Sequence, residues 1–301
     1  MERGSPTPTA RGFCHVRVQF WSVKKPRTSV LYVTDLAYPA RGRRYCDEDI
    51  VLTSRLREYF DIALCHPLDA VALMDDVDVV VVRNSGPVIH YAEQFEEFVA
   101  HAHETGAQVF TELRGKADQV GKQYLPDLFT AGFPVTPTVD APGQFHRLPQ
   151  VAQYAVKPKL GADSVGLRFL TREEVLALDA ADWAGMLVQP RIDFVHEVSF
   201  YFVDHDFQYA LYAPAPEKRW DLQPYEVTDA DLEFARRFID WNDIEHGIQR
   251  VDACRTREGE LLLVELEGLN PYLSLDRIDE EMAMAFVNTM AISIGQLADS
   301  R

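Results

Sequence analysis

The apolar positions of this 301-residue chain change period several times, and each change predicts an element. SVLYVT (29–34), DIALCHP (61–67) and DVDVVVVR (76–83) are short apolar runs of strand character. Between them, DEDIVLTSRLREYF (47–60) sets Ile50, Leu52, Leu56 and Phe60 at helical spacing, and YAEQFEEFVAHAHETG (91–106) reads as an amphipathic helix ended by Gly106. AQVF (107–110) closes the unit. Strands alternating with helices predict a small parallel α/β sheet of doubly wound type over 29–115.

From 116 the pattern changes. KADQVGKQYLPDLFTAG (116–132) predicts a helix despite Pro126, and the prolines of FPVTPTVDAPGQ mark a connection. QYAVKPKLGADSVGLRFL (153–170) reads as strand, glycine-rich loop and strand. MLVQPRI (186–192), HEVSFYFVD (196–204) and FQYALYA (207–213) are further strands, followed by a helix near 229–241, strands over 248–256 and 260–267, and a helix over 276–297. This half is α+β, so its sheets are expected to be mainly antiparallel.

Composition narrows the class. With 47% hydrophobic residues the chain can bury a sizeable core, and no run approaches the roughly 20 apolar residues of a membrane span. A cytoplasmic location is expected, because Cys14, Cys46, Cys65 and Cys254 are scattered without a CxxC pair and no signal-peptide apolar region opens the chain. The net charge is -17, yet residues 1–28 hold six basic groups against Glu2. That segment reads as a disordered arm. The acidic remainder disfavours nucleic-acid and membrane partners, so an anionic ligand must be held by local cations.

Open parallel sheets bind ligands at the carboxyl ends of their strands. Here those ends carry Asp35 and the run Arg83, Asn84, Ser85, which are therefore candidates for substrate binding. In KPKLGADSVG, Gly161 and Gly166 allow a tight backbone, Asp163 and Ser164 line the loop, and Lys157 precedes it as a point charge for phosphate. Alone, the loop reads equally as a plain glycine hairpin. LVQPRI breaks a strand at Pro190, where backbone groups and Gln189 could read an adenine edge. In RVDACRTREGELLLVELEGLNP, Asp252 faces Glu265 and Glu267 across a hairpin, three carboxylates suited to a hard cation. Arg250 projects from the face of Asp252 and could stabilise a transferred phosphoryl group. Lys218 and Arg219 in APEKRW offer further positive charge or a solvated turn, and the histidines form no HxxxH or HxxEH arrangement.

Lysine, glycine loop, broken strand and acidic hairpin, in that order, resemble the ATP-grasp superfamily over about 116–275. The resemblance implies an α/β domain (29–115) followed by two α+β subdomains (116–188 and 189–301) that hold ATP between them. It implies a carbon–nitrogen ligase that activates a carboxylate as an acyl phosphate for attack by nitrogen. Carried across, Lys122 and Lys157 become the two nucleotide-contacting lysines, Gly161 to Gly166 the mobile lid, Gln189, Pro190, Arg191 and Ile192 the adenine hinge, and Glu197 a further nucleotide contact. Asp252, Glu265 and Glu267 become ligands of Mg²⁺ or Mn²⁺, although the commonest family pair is Glu-x-Asn and here a second glutamate replaces the asparagine. Asn270, three residues on, falls to the substrate side. The Glu-Leu-Glu variant with RVD ahead of it and the loop RNSGP are similar to the glutathione synthetase-like branch, and overall length with the stretches EKRWDL and NPYLSLD resembles, within it, the cyclo-ligases of D-cycloserine biosynthesis. That implies an amino-acid-like substrate, O-ureido-D-serine closing to D-cycloserine. A two-substrate dipeptide or amino-acid ligase and a non-catalytic ATP-binding protein are the alternatives, and a homodimer is expected from enzyme size alone.

Overall fold

The computed structural model describes residues 27–40, 43–83, 88–117, 121–161, 166–215 and 220–300, together with Met1 and Lys218. The arm expected over 1–28 lies almost wholly outside them. The first unit has β1 (Ser29–Val33), α1 (Cys46–Leu56), β2 (Asp61–Cys65), β3 (Val79–Val82), α2 (Ala92–Thr105) and β4 (Val109–Phe110). Its four strands pair in parallel in the order β2-β1-β3-β4, as the alternation of strand and helix requires. Gly106 ends α2 with φ of 69°, a left-handed turn that glycine adopts without a Cβ clash.

After α3 (Tyr124–Thr130), β5 (Tyr154–Pro158), β6 (Arg168–Leu170) and β7 (Met186–Pro190) form a three-stranded antiparallel sheet in the order β6-β5-β7. The remaining strands are β8 (Phe194–Val203), β9 (Asp206–Ala213), β10 (Gln223–Pro224), β11 (Ile248–Thr256) and β12 (Leu261–Glu267). They build a five-stranded antiparallel sheet in the order β10-β9-β8-β11-β12. Helices α4 (Asp229–Asn242) and α5 (Glu280–Asp299) complete the fold. Among the described residues, no helix is long and apolar enough to cross a membrane.

Period-two alternation decides what each face of the five-stranded sheet covers. Phe200, Phe202, Val251 and Leu266 turn toward α3 and α4, where they pack with Tyr124, Leu128, Phe238 and Ile239. Tyr201, Val203, Tyr209 and Leu211 turn the other way and meet α5 through Phe286, Met290 and Ile294, whose other neighbours are Val30, Tyr32 and Val81 of the parallel sheet. Helix α5 thus joins the first unit to the five-stranded sheet through one apolar core.

Two expectations differ from the structure. The helix anticipated over 116–132 spans only Tyr124–Thr130, because Pro126 is tolerated only where its missing N–H would be unpaired anyway, in the first turn. Tyr124, Leu125, Leu128 and Val135 also pack with the five-stranded sheet rather than with the three-stranded one. The Tyr124 hydroxyl accepts from Leu266 N–H at 2.8 Å, Pro134 accepts from Leu263 N–H at 2.9 Å, and together they cover the edge strand β12. At the other boundary, β7 runs through Pro190, so the three-stranded unit ends there and not at 188.

Candidate active site

The hairpin β11–β12 sets the geometry. Its register places Asp252 directly opposite Glu265 and Arg250 opposite Glu267, with Val251 and Leu266 pointing to the core behind. The anticipated facing is therefore present. Arg250 donates from Nε to Asp252 at 2.9 Å, from Nη2 to Asp252 at 2.8 Å, and contacts Glu267 from Nη2 at 3.0 Å. Ser199, on the neighbouring β8, donates its hydroxyl to Asp252 at 2.6 Å. Burial works against the Arg250 charge, but Asp252 and Glu267 outweigh it and hold the guanidinium protonated.

Glu265 meets a different cation. Lys122 Nζ lies 2.8 Å from Glu265 Oε1 and donates to the Gly161 carbonyl at 2.8 Å, so one ammonium links the acidic strand to the start of the glycine loop. Burial pushes the Glu265 carboxyl up, and Lys122, Lys157 and Arg250 more than offset this, leaving it below the usual range. Lys157, on β5 of the other sheet, lies close enough to feel both Glu265 and Lys122. Burial pushes its ammonium down to about 8. It makes no hydrogen bond or ion pair to another described residue, which leaves its three donors for an incoming ligand.

The three carboxylates do not converge by themselves: among the described residues no group of three metal-ligating side chains is close enough to hold an ion. The reason is local charge. Arg250 stands between Asp252 and Glu267, and Lys122 covers Glu265, so side-chain cations offset the repulsion that one divalent ion would otherwise relieve. The donor chemistry nevertheless fits Mg²⁺, since all three are hard oxygens on adjacent strands and two of them share a single guanidinium nitrogen.

The glycine loop is described only at its ends. Gly161 accepts from Lys122, and Gly166 has φ of 78° with Pro158 so near that a Cβ would lie 2.9 Å from its ring. Asp163 and Ser164 lie outside the described residues. At the expected hinge, Gln189 is turned inward and donates to the Thr138 hydroxyl at 2.7 Å, so its side chain is not available to an adenine. Pro190 is buried, while Arg191 is exposed, stacks over Phe169 at 4.9 Å and bonds to Gln153. Ile192 is half-buried beyond the strand end. Glu197 is two residues before Ser199 on β8 and so shares the face that carries Asp252.

The substrate-side expectations divide. Asp35 is 2% exposed and accepts from Ala37 N–H, Tyr38 N–H and the Tyr91 hydroxyl, at 3.0, 3.0 and 2.5 Å. Arg83 is 3% exposed and is spent on Asp49, Glu48 and the Pro271 carbonyl. Both are internal groups rather than groups presented to a ligand: Asp35 is closed in by the turn at Ala37 and Tyr38 and by Tyr91, and Arg83 is covered by the segment at Pro271. Asn84, Ser85 and Arg219 lie outside the described residues, Lys218 is exposed, and Asn270 is half-buried in the turn after Glu267. Sequence reasoning missed Ser199, which the parity of β8 could have put beside Asp252. It also missed Glu48 and Asp49, which look like ordinary acids at a helix start.

No family model matches the chain, and no curated protein matches it. Solved structures do. D-cycloserine synthetase DcsG superposes with a TM-score of 0.67 at 22% identity, covering 88% of this chain and 99% of that one. The ATP-grasp ligase PsnB, complexed with a minimal precursor, gives 0.62 at 15% identity over 90% and 99%. The D-alanine–D-alanine ligase from Bacillus anthracis, complexed with ATP, gives 0.64 at 10% over 92% and 99%. Together with the two antiparallel sheets, these likenesses establish that this chain has the ATP-grasp fold.

Proposed function

We propose that the protein is an ATP-dependent carbon–nitrogen ligase that uses Mg²⁺ and acts on a small amino-acid-like carboxylate. The observation that carries this reading is the meeting of Lys122 and Lys157 with Glu265, beside the Arg250, Asp252 and Glu267 cluster, at the junction of the two sheets of an ATP-grasp fold. A degenerate binding protein has no need of that whole set. In this reading Asp252, Glu265 and Glu267 hold the ion. When bound, it supplies charge neutralisation to the phosphate oxygens.

Lys157 and Lys122 bind and align the phosphate chain as point charges. A substrate carboxylate oxygen attacks the γ-phosphorus and ADP leaves; nitrogen then attacks the acyl carbon, loses a proton, and inorganic phosphate departs. Arg250, anchored by Asp252, keeps a fixed positive charge beside the transferred group without reorganising. The glycine loop after Lys157 keeps water from the acyl phosphate, whose hydrolysis would waste ATP.

The finer assignment is ring closure, in which the nitrogen belongs to the same molecule as the activated carboxylate, as in conversion of an O-ureido-serine to cycloserine. Its support is the likeness to D-cycloserine synthetase over nearly the whole of that chain. The test is phosphate release with ATP and Mg²⁺ over a panel of amino acids, singly and in pairs. Turnover with a single ureido-substituted serine is expected. Turnover only with pairs replaces ring closure by two-substrate ligation, and no ADP under any condition removes the ligase assignment.

A further inference from the structure

Beyond β12, residues 270–275 cross the end of the parallel sheet, and four side chains from four elements hold their backbone. Arg83, following β3, donates from Nη1 to the Pro271 carbonyl at 2.5 Å, and Arg250 of β11 donates from Nη1 to the Tyr272 carbonyl at 3.0 Å. Glu48, in the first turn of α1, accepts from Leu273 N–H at 2.8 Å on one oxygen and from Leu275 N–H at 3.2 Å on the other. The Tyr209 hydroxyl of β9 donates to the Leu273 carbonyl at 2.7 Å. Between the two amides that Glu48 holds, Ser274 has φ of 54°. An L-residue adopts that conformation at a cost, so the loop requires outside bonds to keep its shape.

Glu48 is in turn held by Arg83 at 3.3 Å, and Arg83 by Asp49 at 3.0 Å, while Asp49 accepts from the Tyr32 and Thr34 hydroxyls. None of these three charged side chains is more than 6% exposed. Two carboxylates around one guanidinium place more acids than cations in the interior, which packing alone does not call for.

We propose that Glu48 and Arg83 are positioning residues that hold loop 270–275, and through its Tyr272 carbonyl the Arg250–Glu267 pair, in the orientation the reacting group requires. The N-terminal unit thereby sets the geometry of the acidic hairpin from behind. The inference rests on the ligase reading for its consequence in turnover, and on the hydrogen bonds for the hold itself.

The test is Glu48→Gln in the full chain, because glutamine offers one acceptor where the carboxylate serves two amides. Hydrogen exchange over 268–278 is expected to quicken by about tenfold or more at Leu273 and Leu275, with β8 and β11 unchanged. Unchanged exchange at both amides overturns the proposal, as does equal acceleration throughout the parallel sheet, which would make Glu48 a packing group. With AMPPNP and Mg²⁺ the Kd is expected to stay within about twofold, while kcat for phosphate release falls about tenfold or more at constant KM for ATP. Lost nucleotide affinity with kcat retained overturns it. If wild type releases no phosphate with any substrate, the ligase reading fails and the exchange result still decides the hold. Arg83→Lys repeats the exchange test should Glu48→Gln not fold, since lysine keeps the charge beside Asp49 but cannot also reach Glu48 and Pro271.

Discussion

Two arginines in this molecule each stand between two carboxylates, and each holds a carbonyl of the same loop, Arg83 at Pro271 and Arg250 at Tyr272. Their surroundings differ. The side chains of Arg83, Glu48 and Asp49 are 4%, 6% and 0% exposed, whereas those of Arg250, Asp252 and Glu267 are 15%, 20% and 17% exposed. Where water is shut out, burial pushes the Glu48 carboxyl up to about 7 against the pull of Arg83, and its oxygens accept from the Leu273 and Leu275 amides. In the second triad the charges keep partial contact with solvent, and an ion or phosphate can reach them. In the proposed reading one charge set is a strut and the other a receptive face, and access, not composition, makes the difference.

The largest effect that would break this comparison is on stability. Arg83→Met leaves two buried carboxylates without their cation, and losing one partner of such a cluster costs about 3–5 kcal/mol, a large part of a domain's total. Urea unfolding is expected to show a strongly lowered midpoint. A midpoint close to wild type would mean that the N-terminal triad is no strut.

Next in size is an effect on chemistry with little on folding. Glu265→Gln and Glu267→Gln each remove a proposed ligand from the open face, and turnover is expected to fall by about 100-fold or more. Because Glu265 and Glu267 keep 24% and 17% side-chain exposure, the loss of stability is expected to be smaller than for Arg83→Met. Raising Mg²⁺ is expected to recover part of the loss in either variant. Wild-type turnover in one of them would remove that residue from the site.

How these regions were legible follows from the kind of contact each uses. Parity along a strand decides which side chains share a face, so Arg250 with Asp252 and Glu265 with Glu267 could be read directly, and the hairpin register agrees. Contacts closed by distant segments could not. Gln189 had a backbone-level reason to sit beside a nucleotide, yet its partner Thr138 comes from a loop about fifty residues upstream. Glu48 and Asp49 open a helix where acids are common for reasons of the helix dipole alone, and nothing nearby in the chain signals Leu273 and Leu275 as partners of Glu48 or Arg83 as a partner of both. Lys122 joins the site only because Gly161 and Glu265 arrive from two different sheets. For the same reason Arg83, at its strand end, gave no sign of the Glu48, Asp49 and Pro271 contacts that enclose it, nor Asp35 of its bond to Tyr91.

The smallest effect concerns the one cation of the open face that has no partner among the described residues. Burial pushes Lys157 down to about 8, with Lys122 acting in the same direction and Glu265 against it. A lysine lowered in the folded state disfavours folding while it is charged, so its contribution to stability improves as pH rises from about 8 toward its ordinary value. Phosphate binding has the opposite sign, because the ligand needs the ammonium that the fold gives up. Below pH 8 the lysine is already charged and affinity for ATP is expected to be flat. Above it each pH unit is expected to weaken binding by up to about tenfold, until the pKa of the complex, raised by the phosphates, is reached. Titration with AMPPNP between about pH 7 and about 9.5 reads this directly. Lys157→Arg keeps its charge across the window and should abolish the dependence. If instead the arginine variant shows the same decline, the titrating group lies elsewhere and Lys157 does not meet the phosphates.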